Sequence, residues 1–296
     1  AYPDPIVVNS SIGISGEPEN APGHQASRAA LIAHGTVQFY LGIIHETLPP
    51  ERQRDGAGFD MSLLRRFLAA TRVPGIKGDY LVNYAPDETG HIVVIRRGRY
   101  YKIDGLTPEG HAVDPATLRV QFERVIAAAD AQDLPPAVGV LTAGERPLWS
   151  RERDRLALDP VNRRAIDLIE RALFVVCLDD ENHDKADALA RAGLYGQKGN
   201  RWHDKSLHLI IDRQGRFTLH GEHAPVDAGA WCPLIDQIAG LSDPVVALSD
   251  TRHITHPIEL TWRLWPETLQ ALDHASAVYA GLTDNLDLHV RPFTDF

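Results

Sequence analysis

Cysteine is nearly absent from this chain. Only Cys177 and Cys232 occur in 296 residues, with no C-x-x-C or other metal-ligand spacing. That excludes a disulfide-built scaffold and a cysteine zinc site. The two thiols could pair with each other, but the simple expectation is a reducing compartment, cytoplasm or an organelle lumen. Basic charge is short too. Thirty Lys and Arg against 40 Asp and Glu leave a net charge of -10, which excludes a broad nucleic-acid surface. No apolar run approaches the roughly 20 residues of a membrane-spanning helix. Nucleophile signals are also missing. There is no Gly-x-Ser-x-Gly and no glycine-rich phosphate loop between a strand and a helix. Cys177 lies in an apolar run, where a thiol is inert, and Cys232 reads as a core residue of a helix. Ala1-Tyr2-Pro3-Asp4-Pro5 carries no basic stretch followed by an apolar one, so it is no signal peptide. The chain reads as an excised or truncated piece of a longer one.

What remains is an ordinary folding composition, 44% hydrophobic and 24% charged, enough to bury a substantial core. Proline, glycine and polar residues through Gly23 predict extended or loop structure. Apolar spacing predicts helices over His24–Glu46 and Met61–Ala70. His91–Arg96 and Arg99–Ile103 flank Arg97-Gly98 as a tight hairpin. Asp114-Pro115 opens a helix to Asp130. A short strand is expected at Ala137–Thr142, helices at Glu145–Leu158 and Pro160–Ala172, and a buried strand at Leu173–Leu178. A second hairpin, Ser206–Asp212 with Arg216–Glu222, turns on Arg213-Gln214-Gly215. Helices at Ala228–Ala239 and Pro266–Leu282 and strands at Ile258–Leu264 and Leu286–Arg291 complete the chain. Strands alternate with helices but hairpins are frequent, so the fold class is α/β (α+β), with a mixed sheet flanked by helices.

The chemistry concentrates after the second hairpin. Strand alternation puts His220 and Glu222 on one face and Gly221 and His223 on the other. His223 therefore emerges where the strand ends. An imidazole there can act as a general base near neutral pH, and Asp227, four residues on, can fix its tautomer. The alternative is a buried hydrogen-bonded histidine, with Asp227 capping the next helix. Arg201, Asp204 and Lys205 either contact phosphate or carboxylate groups or form an ion pair clamping the loop before the hairpin, and the second reading is favoured. Trp202 packs. Among the 14 histidines, His208 should lie opposite His220. Zinc needs a third or fourth ligand that neither Asp212 nor Glu222 is placed to give, so no metal site is expected and the pair reads as solvent-facing.

Several segments, in order, resemble the choline/carnitine acyltransferase family. They are Glu46-Thr47-Leu48-Pro49, Thr71-Arg72-Val73-Pro74-Gly75, Gly139-Val140-Leu141-Thr142 with Trp149, and Phe174–Asp179. Asn200-Arg201-Trp202 with Asp204-Lys205 and Leu207 follows, then Glu222-His223 with Asp227, and Leu286-Asp287-Leu288. The likeness runs over nearly the whole chain, which is more specific than any one motif. It implies a chloramphenicol-acetyltransferase-like domain over 1–296, the histidine-bearing first half of a two-half fold. It further implies acyl transfer between acyl-CoA and the hydroxyl of carnitine or choline. His223 would be the base in an HxxxD motif, with Asp227 orienting it and direct attack on the thioester. Coenzyme A would be a co-substrate, with no permanently bound cofactor, and its binding residues are not assigned. The partners implied are acyl-CoA, carnitine or choline, and the remaining half of the fold. Departures leave two alternatives open. His203 stands where the family has an aromatic, and the lysine expected near Pro292-Phe293-Thr294-Asp295-Phe296 is not visible. The chain could be a non-catalytic binding or assembly relative, or a coenzyme-A-dependent transferase with another acceptor.

Overall fold

The computed structural model describes residues 11–16, 24–50, 56–58, 60–197, 199–225, 231–239, 241 and 255–291. A seven-stranded mixed sheet organises them. Its strands are β1 (Ser11–Gly16), β4 (His91–Arg96), β5 (Arg99–Asp104), β6 (Val175–Leu178), β7 (Leu207–Ile211), β8 (Phe217–Glu222) and β9 (Ile258–Leu260), in the spatial order β1-β8-β7-β6-β4-β5-β9. The three central strands β4, β6 and β7 are parallel and the outer pairings are antiparallel. A separate antiparallel pair, β2 (Ala70–Val73) and β3 (Tyr80–Asn83), lies against the chain just before β7 through a bridge between Thr71 and Lys205.

The central strands are apolar on both faces, as a sheet covered on both sides requires. On β4, Ile92 and Val94 join one core, while Val93 and Ile95 join the other. The first core is closed by α1 (Gln25–Ile44), α2 (Pro115–Asp130) and α7 (Cys232–Ala239). The second is closed by α3 (Val140–Ala143), α4 (Arg146–Leu156), α5 (Pro160–Arg171) and α8 (Pro266–Thr283). α6 (Ala186–Leu194) covers β8 and β1. α2 starts as its sequence dictates: Asp114 accepts the Thr117 N–H, and Pro115 occupies the first turn, where its missing donor costs nothing.

The helix-flanked mixed sheet matches the expected fold class, but several elements differ from expectation. Ala137–Thr142 is not a strand. Val140–Ala143 is a helical turn in which the Thr142 hydroxyl donates to the Gly139 carbonyl. A six-residue apolar run has no period that separates strand from buried helix. The second predicted helix shrinks to a 3-10 turn at Met61–Arg66, and Ala70–Val73 becomes β2. Leu286–Arg291 is not a strand either. It is held by side chains of α6, with Asp187 accepting the Val290 N–H and Arg191 donating to the Leu286 carbonyl. Of the helix expected over Ala228–Ala239, residues 228–230 lie outside the described set.

Candidate active site

β8 ends at Glu222, and His223 follows at once, exposed where the chain leaves the sheet. The alternation is as the sequence required. Phe217 and Leu219 enter the first core, Gly221 faces Trp231, and Thr218, His220 and Glu222 turn to the opposite face. Asp227, the residue expected to orient His223, lies outside the described residues.

Glu222 is the charged group beside His223 in sequence, and its side chain is wholly buried. One carboxylate oxygen accepts from Arg72 on β2 at 2.9 Å, and the other accepts the Ala224 N–H at 3.0 Å. Burial pushes its carboxyl above the ordinary glutamate value, against the pull of the Arg72 guanidinium. Arg72 also donates to Asp79 at 2.8 Å, and Asp79 accepts from Arg146 at 2.7 Å. Arg146 pairs with Asp204 at 2.8 Å, whose second oxygen accepts the Trp149 indole N–H at 2.6 Å. A chain of buried charges thus runs from the end of β8 to the loop before β7. The sequence reading had noted Arg72 and Trp149 only as parts of likenesses and had no place for Asp79 or Arg146. Their partners are remote in sequence, and neither stands in an apolar run that would single it out: Asp79 follows Lys77-Gly78 and Arg146 follows Gly144-Glu145.

Of the loop residues singled out from sequence, Arg201 and Asp204 form structural ion pairs and Lys205 is held by a backbone carbonyl. Arg201 grips Asp179 with both terminal nitrogens, at 2.7 and 2.9 Å, and Asn200 donates to the same carboxylate at 2.8 Å. Burial alone would raise the Asp179 pKa. The Arg201 charge and these hydrogen bonds prevail and hold it well below the ordinary range. The Lys205 ammonium, fully buried, donates to the Glu170 carbonyl at 2.6 Å, and burial brings its pKa down to about 7. Trp202 packs edge-on to Trp149 and Tyr100 and stacks on Trp262. The Cys177 thiol is fully buried and pushed up to about 12, as an inert thiol should be.

His208 does pair with His220 across the hairpin, but the pair is not solvent-facing. Both rings are fully enclosed, because α6 and the loop before β7 cover that face; His220 donates to the Gly193 carbonyl at 2.9 Å. His203 packs against them, its ring centroid 5.1 Å from that of His220. Among the described residues no cluster of three or more His, Cys, Asp or Glu could hold a metal ion, and no helix is long and apolar enough to cross a membrane. A cavity of about 600 Å³ opens between the end of α1 and the 3-10 turn, lined by Ile43, Leu48, Met61, Leu64 and Arg65 among others. His223 is not part of that lining.

Comparison with known proteins adds a family to this geometry. The family model for choline/carnitine O-acyltransferases matches residues 1–296. Carnitine O-acetyltransferase of Columba livia is 27% identical over 310 residues, covering 100% of this chain and 49% of the relative. Choline O-acetyltransferase of Danio rerio is 27% identical over 286 residues, 90% of this chain and 45% of the relative. The muscle isoform of carnitine O-palmitoyltransferase 1 of Sus scrofa is 29% identical, covering 92% and 37%. The chain spans about half the length, or less, of these relatives.

Proposed function

The chain belongs to the choline/carnitine O-acyltransferase family, and from that premise we propose that it supplies the general base for acyl transfer between acyl-CoA and the hydroxyl of carnitine or choline. The observation that carries this reading is the place of His223: an exposed imidazole at the end of β8, in a chain matched to the family along its whole length.

In this reading the His223 ring nitrogen takes the acceptor's hydroxyl proton as the oxygen attacks the thioester carbonyl. A C–O bond forms, the C–S bond then breaks, and the proton passes from the imidazolium to the departing sulfur. One base serves both steps and no acyl-enzyme forms. Asp227 holds the ring in the tautomer that leaves the reacting nitrogen unprotonated. Coenzyme A enters and leaves as a co-substrate, and the rest of the two-half fold supplies its remaining contacts. A positioned base is worth about a hundred- to ten-thousand-fold. Oxyanion stabilisation and alignment of the reactants supply the larger share, so the base alone leaves little turnover.

The test is acyl-CoA-dependent thiol release by the protein that contains this chain, with carnitine and choline as acceptors. Acceptor-dependent release should fall by at least about a hundredfold in His223→Ala with the fold intact by circular dichroism. Unchanged turnover in that variant would move the base elsewhere. No turnover with either acceptor in the wild type would turn the reading to another acceptor or to a non-catalytic relative.

A further inference from the structure

A buried carboxylate next to the candidate base calls for a reason. Glu222 has no exposed side-chain surface, and withdrawing a carboxylate from water costs several kcal/mol even after the protein relaxes. An apolar pair in place of a buried ion pair is often neutral for stability or better. Stability is therefore a poor account of why this ion pair is here. Its geometry offers another. The two carboxylate oxygens have different partners. One takes Arg72 on β2 and the other takes the backbone N–H of Ala224. The residue spanned by the second bond is His223. Upstream, the Glu222 N–H is itself tied to the Ser206 carbonyl at 3.3 Å. The backbone is thus fixed on both sides of the imidazole, and the fixing group is anchored to a different strand pair.

We propose that Glu222 is a positioning residue, a latch that sets the turn carrying His223 and anchors it through Arg72 to β2. The inference rests on the reading of His223 as the base. The residue type follows from the geometry. A carboxylate has two acceptor oxygens, whereas the glutamine amide has one and presents N–H donors on its other arm. Glu222→Gln can keep the bond to Arg72 or the bond to Ala224, but not both. Arg72 is aimed by a second carboxylate, that of Asp79, which fixes the anchor independently of Glu222.

The experiment compares Glu222→Gln with the double variant Arg72→Met/Glu222→Leu, in which the charges are removed together and Asp79 keeps Arg146. Two readouts are taken: hydrogen–deuterium exchange at the Ala224 amide, and kcat and KM for thiol release by the protein that contains this chain. Exchange at Ala224 should accelerate at least about tenfold in both variants, while Leu209 and Ile210 on β7 stay protected. The kcat should fall roughly tenfold to a hundredfold, the usual cost of a misplaced group, with KM for both substrates within about twofold. A merely structural role would lower stability without that split, and the double variant, whose fold should be as stable as the wild type, isolates the latch if Glu222→Gln folds poorly. Wild-type kcat in a folded double variant, with His223→Ala inactive, overturns this inference alone. An active His223→Ala removes the base on which it rests.

Discussion

Three imidazoles share one buried cluster, and backbone groups fix the tautomers of two of them. His220 donates through Nδ1 to the Gly193 carbonyl, so its Nε2 carries a lone pair. His208 accepts the Trp202 N–H at its Nε2, so its proton sits on Nδ1. All three pKa values are lowered, with burial the largest cause: His220 to about 4, His203 and His208 well below the ordinary value. The unfolded chain holds these protons below about 6.5, whereas the fold refuses them until far lower pH. Stability contributed by the neutral rings is therefore present above about 6.5 and lost as pH falls, by up to ~1.4 kcal/mol per pH unit for each ring. The raised carboxyls Glu222, Glu170 and Asp204 work in the opposite sense, so the net slope is smaller than the sum over rings. Replacing one ring isolates its share. His203→Phe should leave stability at pH 7 equal or higher. It should flatten the fall between pH 6 and 5 by up to about 1.4 kcal/mol per unit, measured by urea unfolding at each pH. A slope identical to wild type would mean that His203 protonates freely in the fold. The sequence showed that His208 and His220 oppose each other, since the Arg213-Gln214-Gly215 turn sets the register. It could not show that they are enclosed, because the cover comes from α6, a helix that the sequence reading did not find.

At the scale of elements, the legible ones carry their own punctuation. Asp114-Pro115, Asp159-Pro160 and Trp265-Pro266 each open a helix where expected, and both hairpins turn at a glycine with positive φ, Gly98 and Gly215. The elements missed are those that exist through a distant partner. β1, with the sequence Ser-Ile-Gly-Ile-Ser-Gly, is a strand because β8 pairs with it. β2 and β3 are four residues each and are docked by the Thr71–Lys205 bridge. No element is expected from sequence over Ala186–Leu194, which forms α6; it carries Gly193 in its last turn, and the glycine has a packing reason, since a Cβ there would press on Thr218. His223 was found because it sits on a legible hairpin, whereas Asp79 and Arg146 were not, because neither has its partners on its own element. The same hairpin holds a second glycine whose need is steric. A Cβ at Gly221 would fall within the Trp231 indole, which packs edge-on to Phe67 at a 4.7 Å centroid separation. Gly221→Ala should therefore expel the indole rather than shift it slightly. We expect a loss of about 1–3 kcal/mol, the usual cost of overpacking, with a red shift in tryptophan emission. Unchanged emission and stability would show that the strand can move aside.

Among the described residues, two hydrophobic cores lie on either side of the seven-stranded sheet, which raises the question of whether the molecule unfolds as one unit. Each central strand gives alternate side chains to both cores, as Val94 and Val176 do to the first and Val93 and Val175 to the second. Opening either face thus strips the same strands of half their packing. Chains of this length often populate intermediates, so the shared sheet makes a specific claim. The tryptophans permit a clean test. Trp231 belongs to the first core, while Trp149, Trp202, Trp262 and Trp265 belong to the second or pack against it, and these are all five in the chain. In Trp231→Phe, fluorescence therefore reports the second face. Far-UV circular dichroism draws heavily on the 20-residue α1 and 16-residue α2 of the first. The two urea transitions should share a midpoint and a slope, as all-or-none unfolding requires. A dichroism transition that precedes the fluorescence transition would mean that α1 and α2 leave a still-folded sheet. β8 would then keep His223 in place while losing the core beneath Gly221, and the geometry around the base would depend on local rather than global stability.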